Sequence, residues 1–213
     1  MTAELFDGEE PWAEPLAEGV TLLHQRASQC DVALLDAVKQ ISTDAPFRHM
    51  VVPGGHTMSV AMTNCGAQGW VTDRRGYRYQ PLDPESARPW PALPELFQRL
   101  ASEIAAEAGF PHFQPDACLI NRYAPGSKMG LHQDKDEQDF SQPIVSISLG
   151  LPAVFQLGGI ERKDKVRRIA LRHGDVLVWG GAARLLHHGI LPLKEGDHPA
   201  GPYRWNLTLR RAR

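Results

Sequence analysis

The chain has 213 residues, of which 42% are apolar and 23% charged, and these proportions predict one soluble globular domain. Its 19 glycines and 17 prolines exceed the average and exclude a helical bundle or a coiled coil. The net charge of −2 does not suggest a nucleic-acid binder, but six acids and no Lys or Arg in the first 25 positions leave residues 26–213 at +4. That balance permits phosphate contacts, although a mixed solvated surface explains it equally well.

The amino-terminal segment, residues 1–19, is acidic and contains Pro11 and Pro15, so we expect it to be flexible and one folded domain to span residues 20–213. The acidic start excludes a signal peptide and predicts a cytoplasmic protein. The longest uncharged stretch, Phe140 to Ile160, contains prolines, glycines and hydroxyl groups, so it predicts two buried strands rather than a membrane span. Three widely spaced cysteines predict reduced structural thiols.

Two helices and many short strands are predicted along the chain. The first helix runs from Asp31 to Ile41, and the second has Pro94 in its first turn and ends at Gly109. Strand patterns cover Thr57–Thr63, Ala117–Tyr123, Ile144–Leu149, Ala153–Leu157, Val166–Leu171, Val176–Trp179 and Tyr203–Arg210. This order predicts a mainly β fold with flanking helices (α+β), built as a jelly roll or double-sheet barrel.

The most informative motif is His132-Gln133-Asp134, because residues two apart on an extended segment project to one face and can bind one ion. A second copy, His173-Gly174-Asp175, directly precedes an apolar run, so we interpret it as a hairpin turn that leads into a buried strand. Asp134 instead opens a charged, mobile-looking segment, residues 135–139, that leaves room for a ligand.

A third metal ligand is available at His187-His188, on a later predicted strand. Two histidines and one carboxylate form the facial triad of non-haem Fe(II) oxygenases, which leaves open coordination positions. Zinc with a water in its fourth position fits the same ligands. The choice between Fe(II) and zinc therefore depends on whether the sequence also provides a site for an organic co-substrate.

Two strand patterns predict such a site, because polar side chains alternate with apolar ones along residues 119–123 and 204–210. The polar positions are Asn121, Tyr123, Arg204, Asn206, Thr208 and Arg210. A half-buried strand with its polar side in water gives the same alternation. Because Arg pairs bidentately with carboxylates, the recurrence beside the metal motif favours a cradle for a dicarboxylate.

Several spaced motifs together resemble one family. They are Asn121-x-Tyr123, His132-x-Asp134, His188, Arg204-x-Asn206-x-x-x-Arg210, Pro-Gly-Gly at 53–55 and the segment from Met58 to Gly66. From about Val20 onward the chain is similar to the AlkB-type Fe(II)- and 2-oxoglutarate-dependent dioxygenases. The resemblance implies a double-stranded β-helix fold and oxidative demethylation of N1-methyladenine and N3-methylcytosine, with release of formaldehyde, succinate and CO2.

The resemblance also implies roles for individual residues. His132, Asp134 and His188 would bind Fe(II), and Asn121, Tyr123, Arg204, Asn206 and Arg210 would hold 2-oxoglutarate, with one iron position left for O2. Residues 47–90 would form a nucleotide-recognition lid, and Met62, Trp70, Tyr77, Asp136 and Arg162 would contact or select the base. Val52 and His56 depart from the family pattern, which has hydroxyl-bearing residues there.

A base inside a duplex cannot reach a buried metal, so the predicted substrate is single-stranded DNA or a base flipped out of double-stranded DNA. The segment Arg74–Tyr79 interleaves cations with aromatic rings, which suits phosphates and stacked bases, although an ordinary exposed hairpin has the same composition. We expect a monomer without membrane contact. A related oxygenase that acts on RNA or protein is the alternative, and the retained metal ligands disfavour a non-catalytic binding module.

Overall fold

The computed structural model describes residues 11–213, and within them the chain forms two α-helices and fourteen strands. In chain order these are β1 (Trp12–Ala17), β2 (Val20–His24), α1 (Asp31–Asp44), β3 (Arg48–Val51), β4 (Thr57–Gly66), β5 (Gly69–Asp73), β6 (Gly76–Gln80), α2 (Glu95–Glu107), β7 (Ala117–Tyr123), β8 (Met129–His132), β9 (Ile144–Gly150), β10 (Ala153–Leu157), β11 (Arg167–Leu171), β12 (Val176–Trp179), β13 (His188–Ile190) and β14 (Arg204–Arg210).

Most strands belong to two sheets that share one apolar core. The larger sheet has the order β1-β2-β12-β9-β14-β7-β4-β3, and the smaller has the order β11-β10-β13-β8. Met62 and Leu119 of the larger sheet and Phe155 and Ile169 of the smaller one are buried in the same cluster. The predicted mainly β fold with a jelly-roll core is therefore confirmed. The hairpin β5–β6 forms a separate two-stranded sheet.

Both helices cover the outer face of the larger sheet, where Leu34 of α1 and Phe97 of α2 join a second core with outward side chains of β7, β9 and β14. Helix α1 continues three residues beyond the predicted end, and in this polar last turn the hydroxyls of Ser42 and Thr43 donate to the Lys39 carbonyl. Pro94 precedes α2 instead of lying in its first turn.

The amino-terminal strand corrects one prediction. Trp12–Ala17 pairs antiparallel with β2 at the edge of the larger sheet, so the expectation of flexibility is wrong for this stretch. The Trp12 ring stacks on the His24 ring at 4.0 Å, and His24 Nε2 lies 3.1 Å from Glu14 Oε2. These contacts involve a partner strand, which the local composition does not reveal. Residues 1–10 of the predicted flexible segment lie outside the described residues.

The His173-Gly174-Asp175 motif is a turn, as predicted, and Gly174 has a φ of 81°, which glycine adopts without strain. It is not a hairpin, because the flanking strands β11 and β12 belong to different sheets. The Asp175 carboxylate accepts hydrogen bonds from the backbone N–H of Gln25 and Arg172 and thereby fixes this crossing between the sheets.

Two further predictions concern the chain as a whole. All three cysteines are free, and Cys65 and Cys118 are buried, as expected for structural thiols. Across residues 11–213, no helix combines the length and the apolar character needed to cross a membrane.

Candidate active site

A cavity of about 350 Å³ lies between the two sheets and is bordered by the hairpin β5–β6. Every residue predicted for the site lines it: Met62, Trp70, Tyr77, Asn121, Tyr123, His132, Asp134, Asp136, Arg162, His188, Arg204, Asn206 and Arg210. The fold therefore brings together side chains that are up to 148 positions apart in the sequence, from Met62 to Arg210.

The predicted metal ligands converge at one end of the smaller sheet. His132 ends β8 and lies directly opposite His188, the first residue of β13, and Asp134 follows β8 by two residues. His132 Nε2 lies 3.7 Å from Asp134 Oδ1, and His188 Nε2 lies 3.5 Å from Asp134 Oδ2. One ligand atom from each residue falls within 4.8 Å of the others, so the three can bind a single ion.

Hydrogen bonds orient both imidazole rings toward this point. His132 Nδ1 lies 2.8 Å from the Gly130 carbonyl oxygen, and His188 Nδ1 lies 3.0 Å from that of Leu186. A ring whose Nδ1–H donates to a carbonyl presents an unprotonated Nε2, the form that binds a metal. The neighbouring His187 is placed differently, because its Nδ1 lies 3.3 Å from the Gly159 carbonyl oxygen and the residue is not part of the ligand group.

The protonation states also suit metal binding. Burial lowers the pKa of His132 to about 4, with help from nearby His188, so its ring is neutral at pH 7. Burial alone would raise the pKa of Asp134, but the guanidinium of Arg210 and the two imidazoles hold it well below its usual range. The site therefore offers a neutral His132 ring and an ionised Asp134 carboxylate to a metal ion.

The predicted co-substrate cradle lies on β14 and the paired β7, where Arg204 is opposite Tyr123 and Asn206 is opposite Asn121. Arg204 is 1% exposed, and burial lowers its pKa. Its Nη2 donates to Ser148 Oγ at 3.0 Å, whereas Nε and Nη1 have no hydrogen-bond partner among the described residues. The interpretation of this face as solvated is therefore wrong. A buried cation with two unpaired donors fits a carboxylate ligand.

Comparison with known proteins agrees with this geometry. The model of the 2OG-Fe(II) oxygenase superfamily matches residues 19–210. The chain belongs to this superfamily. It is 56% identical to the alpha-ketoglutarate-dependent dioxygenase AlkB of Escherichia coli (strain K12) over 98% of this chain and 97% of that one, which places it among the AlkB-type dioxygenases.

Two further matches support the assignment. The AlkB dioxygenase of Salmonella typhimurium is 58% identical to this chain, again over 98% of this chain and 97% of that one. The solved structure of OsALKBH1 superimposes with a TM-score of 0.84 at 29% identity and covers 94% of this chain and all (100%) of that one. Fe(II) is therefore the metal of this AlkB-type enzyme, and 2-oxoglutarate and O2 are its co-substrates.

Arg210, predicted to contact 2-oxoglutarate, is placed beside the metal ligands. Its Nη2 donates to Asp134 Oδ2 at 2.7 Å, and its Nη1 donates to the Tyr79 hydroxyl at 3.0 Å. Arg210 Nε lies 3.5 Å from Glu137 Oε1. The two predicted arginines therefore differ, because Arg204 keeps free donors and Arg210 already holds a metal ligand in place.

Three residues of the site were missed by sequence reasoning: Tyr79, Glu137 and Arg184. Glu137 Oε1 accepts from the Tyr79 hydroxyl at 2.7 Å, and its Oε2 lies 3.0 Å from Arg184 Nη2. Arg184 also donates to the backbone carbonyl of Asp134 at 2.7 Å. The interpretation of residues 135–139 as a mobile charged segment is wrong for Glu137, whose side chain is 1% exposed. Each residue is an ordinary charged or aromatic one in the sequence, and only the fold shows the network.

Of the residues predicted to contact a base, Trp70, Tyr77, Asp136 and Arg162 form the outer wall of the cavity, and Met62 lies deeper. Trp70 Nε1 donates to Asp136 Oδ2 at 2.7 Å, and the Trp70 and Tyr77 rings stack at 5.8 Å. Met62 is fully buried, and Arg162 Nη1 donates to the Leu131 carbonyl at 2.8 Å. This AlkB-type chain therefore has aromatic faces and one carboxylate next to the metal ligands.

Proposed function

We propose that this enzyme repairs alkylated nucleic-acid bases by oxidative demethylation. It would remove the methyl group of N1-methyladenine or N3-methylcytosine and release formaldehyde, succinate and CO2. The observation that carries this proposal is one cavity that combines the His132, Asp134 and His188 ligands, the free donors of Arg204 and an outer wall of stacked aromatic rings.

In this proposal each wall of the cavity holds one reactant. His132, Asp134 and His188 would bind Fe(II) from one side and leave its other positions open. Arg204, with Asn206, Asn121 and Tyr123, would hold a 2-oxoglutarate carboxylate, because Arg204 has free donors. Bound Fe(II), with 2-oxoglutarate and O2, supplies the oxidising chemistry. Arg210 would keep Asp134 in its ligating position.

The outer wall would select a cationic base. Trp70 and Tyr77 present aromatic faces, and stacking tolerates any base. The Asp136 carboxylate accepts a hydrogen bond from the Trp70 indole, so an incoming base would compete for that oxygen. A positively charged base would compete best, because charge-assisted hydrogen bonds are stronger than neutral ones. N1-methyladenine and N3-methylcytosine are cationic.

The substrate would be alkylated DNA, either single-stranded or with the damaged base flipped out of the duplex, and RNA would share the same chemistry. We propose that the catalytic domain spans residues 20–213 together with β1 (Trp12–Ala17), which pairs with β2, and that it acts as a monomer in the cytoplasm. Of the proposed lid, residues 47–90, strands β3 and β4 belong to the larger sheet, so we assign base contact chiefly to the hairpin β5–β6.

Purified protein with Fe(II), ascorbate and 2-oxoglutarate tests the function. We expect formaldehyde from oligonucleotides that carry N1-methyladenine or N3-methylcytosine, and none from an unmodified peptide. Release of formaldehyde from methylated RNA but not from methylated DNA would change the proposed substrate from DNA to RNA. Absence of turnover on every methylated nucleic acid, with Fe(II) and 2-oxoglutarate bound, would contradict it.

A further inference from the structure

The connection between β10 and β11 is an exposed basic surface. This β10–β11 tip, residues 158–166, carries the cations Arg162, Lys163 and Lys165 and the acids Glu161 and Asp164, all of them exposed. Two more exposed cations follow at the start of β11, Arg167 and Arg168. Apart from Arg162, the proposed function uses none of these charges.

Some of these charged side chains already have partners within the described part of the chain. Asp164 Oδ2 accepts a hydrogen bond from the Glu161 N–H at 2.9 Å, so this acid serves to close the tip. Arg167 donates to the Leu16 carbonyl at 3.0 Å and lies 3.6 Å from Glu14. Lys163 and Lys165, in contrast, have no hydrogen bond or ion pair with any residue from 11 to 213.

Strand register places the tip at the mouth of the cavity. Leu157, the last residue of β10, lies opposite His188, which lies opposite the metal ligand His132. The chain leaves β10 at the same end of the sheet at which it leaves β8 toward Asp134, because both strands pair antiparallel with β13. Arg162 returns to the Leu131 carbonyl and lines the cavity. Lys163 and Lys165 lie one and three positions after Arg162, so they belong to the same tip as a residue that lines the cavity.

The hairpin β5–β6 is the other candidate for phosphate contact, and of its three arginines only Arg74 has no hydrogen bond or ion pair with any residue from 11 to 213. Arg75 and Arg78 both donate to the carboxylate of Asp73, at 3.0 and 2.8 Å. One carboxylate therefore offsets much of the charge of the two arginines. Unpaired lysines beside an opening for a nucleotide are complementary to the phosphates that continue on either side of it.

On this basis, and resting on the proposed function, we propose that the β10–β11 tip binds backbone phosphates of the nucleic-acid strand outside the flipped nucleotide. Lys163 and Lys165 make these contacts. The tip then adds affinity that is independent of sequence and of the lesion, because phosphate contacts carry no base information. Substrates longer than a few nucleotides benefit from it, and a methylated trinucleotide does not reach it.

The double variant Lys163→Gln/Lys165→Gln tests this proposal through the salt dependence of binding. Enzyme loaded with Fe(II) and 2-oxoglutarate without O2 is titrated with a methylated single-stranded 15-mer between 50 and 200 mM NaCl. Each phosphate contact on a single strand contributes a slope of about 0.7 in log K against log salt, so loss of two lowers the slope by about 1.4. The rise in salt then weakens the variant about 7-fold less than the wild type.

Lys39→Gln/Lys194→Gln is the matched control, because it removes the same charge from α1 and from the loop after β13. We expect the wild-type slope for the control, and unchanged turnover of a methylated trinucleotide for both variants. An unchanged slope in the tip variant, or an equal loss in the control, overturns the proposal. Wild-type turnover of the 15-mer distinguishes failure of this inference from failure of the proposed function. If the wild type turns over the 15-mer, an unchanged slope refutes this inference alone. If it does not, the proposed function and this inference are refuted together.

Discussion

Glu137 holds together the buried network behind the metal ligands, and removal of its charge should weaken both the fold and the metal site. The carboxylate binds the Tyr79 hydroxyl and Arg184, and Arg184 in turn holds the Asp134 backbone. The Arg184 and Glu137 side chains are 3% and 1% exposed, so water does not replace a lost partner. Glu137→Gln keeps the shape of the side chain and removes the charge, which leaves Arg184 buried without its counterion.

The size of the effect follows from this burial. Removal of one partner from a buried ion pair destabilises a protein by about 3–5 kcal/mol. Because Gln can still accept one hydrogen bond, we expect the lower end, about 3 kcal/mol. For a chain of this length that lowers Tm by about 6–12 °C. Since Arg210 and Arg184 position Asp134, the Fe(II) affinity should fall by about 10- to 100-fold, as for other outer partners of metal ligands.

Thermal unfolding and an anaerobic Fe(II) titration measure the two effects. Asp139→Asn is the control, because Asp139 is exposed in the same loop and its bond from the Ser141 N–H can be made by Asn. We expect it to change stability by less than about 0.5 kcal/mol, as is usual for surface substitutions. If Glu137→Gln matched this control in both Tm and iron affinity, the network would not position the metal ligands.

Three further substitutions test other parts of the site. Arg204→Met should raise the KM for 2-oxoglutarate by about 10- to 150-fold through loss of charged hydrogen bonds. The Tm of the protein, measured without co-substrate, should not fall. A wild-type KM in steady-state kinetics would contradict the assignment of Arg204 to 2-oxoglutarate binding. Trp70→Ala should weaken binding of a methylated oligonucleotide by about 1–3 kcal/mol in an anisotropy assay, whereas Trp70→Phe should retain most of the affinity; equal losses would show that stacking is not the interaction. His173→Ala should lower the stability of the protein, since His173 contacts Asp31. This variant should bind Fe(II) like the wild type, whereas His132→Ala should not bind it. Loss of iron binding in both variants would contradict the choice of His132-Gln133-Asp134 over His173-Gly174-Asp175 as the metal motif.

The parts of the site that could be predicted from the sequence depend on local periodicity. Arg204, Asn206 and Arg210 alternate with apolar residues on one strand, so their common face follows from the geometry of an extended chain. His132 and Asp134 lie on one short segment for the same reason. The sequence did not decide whether that face meets water or a cavity, because the second sheet that covers it is a tertiary feature.

Other features could not be predicted because their partners are distant in the chain. Glu137 is buried only because Tyr79 and Arg184, 58 and 47 positions away, enclose it. In the same way, Trp12–Ala17 becomes a strand only because β2 offers it an edge. The turn at Gly174 could be predicted because glycine favours turns. Whether this turn closes a hairpin or crosses between two sheets could not be predicted, since both connections need the same local conformation.

The most direct test of the account is anomalous diffraction at the iron edge from crystals grown with Fe(II) and 2-oxoglutarate without O2. We predict one iron per chain within bonding distance of His132 Nε2, Asp134 and His188 Nε2, with a 2-oxoglutarate carboxylate on the free donors of Arg204. Iron bound elsewhere, or a co-substrate that leaves Arg204 without a partner, would contradict the account.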